Sequence, residues 1–152
     1  MGRALERLSR PEEARRCYRL AAPGRMGAQA SAALAHSYRR AGEREQAAAV
    51  WREMIEARRG GAAPYIELAK YEEHVRKNPR GALELTERAI ILLQEERLRP
   101  DASVQEIQNE LQYRRRRLKR RLESREGAER PPEKEQGGEG AGETRKEPRR
   151  DS

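Results

Sequence analysis

Three segments of this chain share one layout at nearly constant spacing, and that spacing restricts the fold more than any other feature. SRPEEARRCYRLA from Ser9, AGEREQAAAVWREM from Ala41 and NPRGALELTERA from Asn78 each start at a turn-former and pass an acidic or polar step to an Ala. A larger residue follows four positions later. Ala14, Ala47 and Ala82 align, then Tyr18, Trp51 and Thr86, then Ala21, Met54 and Ala89, with Ala-to-Ala periods of 33 and 35 residues. A small residue at a fixed place lets two helices approach closely, and the residue one turn later fills the gap between neighbours. The expected fold is all-α.

The intervening segments supply the first helix of each unit. AQASAALAHSYRRAG carries Leu34, Ala35 and Tyr38, with Gly42 where the chain must turn at positive φ. In PYIELAKYEEHVR, Tyr65, Leu68, Ala69, Glu72 and Val75 follow the three-and-four rhythm of a helix with one buried face. The pattern predicts helices over 2–8, 11–21, 27–40, 43–58, 63–77, 79–96 and 102–123. Ser9 with Glu12 and Ser103 with Glu106 read as capping boxes. Pro23-Gly24, Gly60-Gly61, Asn78-Pro79 and Pro100 mark breaks.

Residues 124–152 contain no aromatic and no Ile, Leu, Val or Met, so they have nothing with which to offset the entropy of ordering. They are expected to form a disordered tail behind a helical domain at 1–123, whose last helix, 102–123, caps it. The chain is 39% charged with a net charge of +8; residues 1–100 contribute +6, residues 101–123 +3 and the remainder −1. A basic folded part suits nucleic acid, acidic peptides or solubility. The lone Cys17 excludes an intramolecular disulfide framework, and with no signal peptide or long apolar run the expected location is cytoplasmic, away from membranes.

Leu34, Ala35, Tyr38, Gly42, Ala47, Trp51 and Met54 resemble the tetratricopeptide repeat pattern of Leu, small residue, Tyr, Gly, Ala, aromatic and small residue. Ser31 stands at the usual early aromatic position, and Met54 is bulkier than the pattern asks. In the third unit Leu68 to Ala82 is one residue longer than Leu34 to Ala47, and Thr86 replaces the aromatic. The first unit lacks most of its first helix. The resemblance implies a right-handed array of about two and a half repeats. PYIELAKYEEHVRKNPRGALELTERAI is also similar to the carboxy-terminal repeat region of bacterial YprB-type proteins, which carry an RNase H-like nuclease domain upstream. That acidic, metal-binding domain has no counterpart in this sequence.

Chemistry-bearing constellations are sparse. His36, His74 and Cys17 lack the spacing of metal ligands, and neither a nucleophile elbow nor a phosphate loop is present, so no enzyme activity, cofactor, metal or small-molecule substrate is expected. The pairs Glu12-Glu13 and Glu72-Glu73 read as solvated charge, since adjacent helical residues point to different faces. Trp51 and Tyr38, at repeat-packing positions, read as packing residues in preference to a base-stacking platform, whereas Tyr71 suits either role. By the repeat resemblance, a partner-binding groove falls on Gln29, His36, Arg39, Arg40, Ile66, Lys70, Glu73 and His74, a basic and polar set suited to a protein or acidic peptide.

The run YRRRRLKRR sets Arg114, Arg115, Arg116, Arg117, Lys119, Arg120 and Arg121 on a helix whose apolar stripe is Val104, Ile107, Leu111, Leu118 and Leu122. Such a run reads either as a nucleic-acid contact or as a solvated cap. The function expected first is a non-catalytic protein-interaction module accessory to an RNase H-like nuclease. The alternatives are a nucleic-acid-binding accessory and a truncated remnant of a larger nuclease protein.

Overall fold

The computed structural model describes residues 1–7, 10–95 and 102–130. The chain is all-helical there: α1 Gly2–Arg7, α2 Pro11–Ala21, α3 Gly27–Arg40, α4 Arg44–Glu56, α5 Ala63–His74, α6 Pro79–Glu95 and α7 Ala102–Glu129. Each helix packs against the next in sequence, from α1 on α2 through to α6 on α7. Short antiparallel neighbours of this kind bury each helix between the one before and the one after.

The aligned alanines sit where the spacing puts them. Ala14, Ala47 and Ala82 are all 0% exposed, and Tyr18, Trp51 and Thr86 one turn later are buried. Thr86 fills its position without leaving a polar atom unpaired, because its Oγ1 donates to the Ala82 carbonyl at 2.7 Å. The next set divides: Met54 and Ala89 are buried, whereas Ala21 ends α2 on the surface. One cluster joins Tyr18, Leu34, Tyr38, Trp51, Met54, Leu68 and Tyr71 across α2 to α5, and a second joins Ala62, Ala89, Ile90 and Leu111 across α5 to α7. Trp51, Tyr38 and Tyr71 are therefore core residues, and the stacking-platform reading does not hold for them.

Helix ends follow local chemistry. Pro11 and Pro79 open α2 and α6, and Pro64 lies in the first turn of α5, where a missing N–H costs nothing. Gly42, at φ 79°, turns the chain after α3, with the Glu43 N–H bonded to the Tyr38 carbonyl at 3.0 Å. After α4 the same closure is made by Arg58 at φ 50°, with Arg59 N–H on the Met54 carbonyl at 2.8 Å. Asn78 caps α6, its Oδ1 accepting from the Gly81 N–H at 3.1 Å.

Of the two expected capping boxes, the first involves Ser9, which lies outside the described residues; directly before α2 stands Arg10, which makes no side-chain cap bond, and Glu12 pairs with Arg15 at 2.8 Å. Ser103 lies inside α7, one residue past its start. The helix also runs to Glu129, beyond the expected end at 123. Lack of large apolar residues removes 124–129 from any core, but extending an existing helix adds one hydrogen bond per residue fixed and needs no burial. Residues 131–152 of the expected tail lie outside the described residues.

Candidate interaction surfaces

Because alternate helices come to the same side of the stack, α3, α5 and α7 share one face. Two clefts open on it. One, of about 260 Å³, is lined by His36 of α3, Ile66, Glu67 and Lys70 of α5, and Ile107, Leu111 and Arg114 of α7. The other, of about 290 Å³, lies between α3, α4 and α5 and is bordered by Arg39, Arg44, Glu67, Lys70 and His74, with Trp51 and Tyr71 at its back. Glu67 and Lys70 form the ridge common to both.

Five of the expected groove residues, His36, Arg39, Ile66, Lys70 and His74, are thus brought to these clefts. Gln29 and Arg40 are exposed and line neither. Glu67, which sequence reasoning missed, accepts from Arg39 Nη1 and Lys70 Nζ, each at 2.7 Å. The clefts present four cations, Arg39, Arg44, Lys70 and Arg114, against the two carboxylates of Glu67 and Glu110. Their balance is positive but internally paired. Partial burial lowers the pKa of His36 below its ordinary 6.5, and Arg39 pushes it the same way while Glu67 opposes. The imidazole is therefore neutral near pH 7.

Glu73 departs most from its reading as a solvated or groove-facing charge. It is buried, because α7 crosses over it and brings two arginines to its carboxylate. Arg117 Nη2 donates to Oε1, and Arg114 Nε stands 4.0 Å from Oε2, which accepts no hydrogen bond among the described residues. Its neighbour Glu72 is half-buried and lies 3.6 Å from Arg52. His74 remains exposed, its Nε2 3.8 Å from Glu73 Oε2.

The arginine run is consequently divided by the fold. Leu111 and Leu118 of the expected stripe are buried, Val104 and Leu122 half-buried, and Ile107 is 37% exposed at the cleft edge. Arg114 and Arg117 are held by Glu73, and Lys119 pairs with Glu87 of α6 at 3.0 Å. Arg115 is half-buried on the docked side. Arg116, Arg120 and Arg121 are exposed and form no ion pair among the described residues. Tyr113, unnoticed at the head of the run, is 61% exposed.

The described residues contain no cluster of His, Cys, Asp or Glu able to hold a metal ion, and no helix among them is long and apolar enough to cross a membrane. No family model matches the chain, and no curated protein or solved structure matches it either.

Proposed function

We propose that the chain is a non-catalytic interaction module of tetratricopeptide type, binding an acidic peptide segment on the face formed by α3, α5 and α7. The observation that carries the reading is the cleft between α5 and α7, where half-buried Ile66 and exposed Ile107 form an apolar floor beside Lys70 and Arg114. An apolar floor with a few convergent polar groups is the usual make-up of a recognition site. A peptide combining an aliphatic side chain with a carboxylate matches both parts. The repeat register of Ala14, Ala47 and Ala82 supports the array, and the resemblance to YprB-type repeat regions supports a role accessory to an RNase H-like nuclease.

A peptide library displayed against the full chain tests this. Selected sequences should carry Asp or Glu next to an aliphatic residue, and their affinity should fall about tenfold or more in Lys70→Ala and in Ile107→Asp, both at accessible positions. Selection of no binder, or of binders indifferent to both substitutions, would overturn the proposal.

A further inference from the structure

We propose that the outward face of α7, built on Tyr113, Arg116 and Arg120 with Arg121 at its edge, binds single-stranded nucleic acid. This surface is separate from the clefts and does not depend on a peptide binding there. Its first sign is Tyr113. The helix docks through Leu111 and Leu118, and at about 100° per residue Tyr113 stands roughly 200° around from Leu111, so packing gives no reason for an aromatic there. Arg116 and Arg120 follow it at three and seven residues and therefore share its face.

The second sign is the pattern of ion pairing. Glu73 and Glu87 engage Arg114, Arg117 and Lys119, yet no carboxylate of the described residues reaches Arg116, Arg120 or Arg121. From Leu111 to Leu122 the sequence contains no acidic residue, and Arg116 with Arg120 and Arg117 with Arg121 are like-charge pairs one turn apart, which weaken a helix. A polyanion relieves that repulsion. An exposed aromatic beside cations narrows the choice to a strand with unstacked bases, since a base stacks on the ring while guanidinium groups meet the flanking phosphates. A duplex keeps its bases away from such a ring, and an anionic vesicle offers none.

The test uses fluorescence anisotropy of the full chain at about 50 mM salt with labelled 15-nucleotide oligo(dT) and oligo(U), the matching duplex, and vesicles containing phosphatidylserine. At least one of the two single strands should bind more tightly than duplex or vesicles. Tyr113→Ala should weaken that binding about tenfold, while Tyr113→Phe retains it. Arg116→Gln with Arg120→Gln should reduce the slope of log affinity against log salt by about 1.4, at roughly 0.7 per lost contact. All four side chains are exposed, so circular dichroism of each variant should match the parent. Lack of binding to both strands, equal binding to duplex or vesicles, or a Tyr113→Ala variant as tight as the parent would overturn the proposal.

Discussion

Arg15 shows how far a single side chain departs from what its local sequence suggests. It lies among charged neighbours in PEEARR, yet it is buried, with Nη1 2.8 Å from Glu12, Nη2 2.9 Å from Glu43 and its guanidinium 4.5 Å from the Tyr38 ring centre. Nε also donates to Ser37 Oγ at 3.4 Å. It therefore joins α2 to α3 and to the turn before α4. The Glu12 and Glu43 side chains are 82% and 36% exposed, so removing the cation returns them to water without stranding a buried charge. Arg15→Ala should cost about 1–3 kcal/mol through lost charged hydrogen bonds and packing, and Arg15→Met, which refills the volume, clearly less. Urea denaturation of the two variants measures the difference, and equal losses would contradict a packing contribution. His36 gives a prediction with a sign. Its folded pKa lies below its unfolded value, so its contribution is complete above pH 6.5 and is lost as pH falls through the folded pKa. His36→Gln should flatten that part of a stability profile taken from pH 7.5 to 5. A profile as steep as the parent's would contradict the assignment.

At the scale of elements, the small residues decide how closely helices approach. Ala47→Leu places three further carbons in a site with 0% exposure and should cost about 1–3 kcal/mol, whereas Ala21→Leu, at a position on the surface, should change stability by less than about 0.5 kcal/mol. Thermal midpoints of the two variants check the contrast. The helices themselves were legible because apolar spacing and Gly or Pro punctuation are local signals: α2 and α3 start and stop where the pattern places them. The Schellman-type turn at Arg58 carries no such signal, since an arginine takes the left-handed position that glycine takes after α3. Nor does a contact between residues 44 apart, such as Arg117 with Glu73, leave any trace in local spacing. Three of the seven cations in the run, Arg114, Arg117 and Lys119, change their meaning through contacts of that sort. Tyr113 was visible in the sequence all along, but only the docking of α7 through Leu111 and Leu118 shows that the ring stands outside.

For the whole molecule, sequential packing has two consequences. Contacts are mostly between neighbours in the chain, so stability resembles a sum of helix-pair terms and folding is expected to be fast for the length. The same order brings α3, α5 and α7 to one side, giving the clefts on either flank of Lys70, while the outer face of α7 points elsewhere with its own exposed cations. Two surfaces of different chemistry thus belong to one small array. The central claim, that the α3–α5–α7 face receives a peptide, is tested most directly by amide chemical shifts of the isotope-labelled full chain titrated with a selected acidic peptide. The account predicts the largest shifts at His36, Ile66, Lys70, Ile107 and Arg114, with little change in α2 or on the outward side of α7. Shifts concentrated on those other surfaces, or none at saturating peptide, would contradict it.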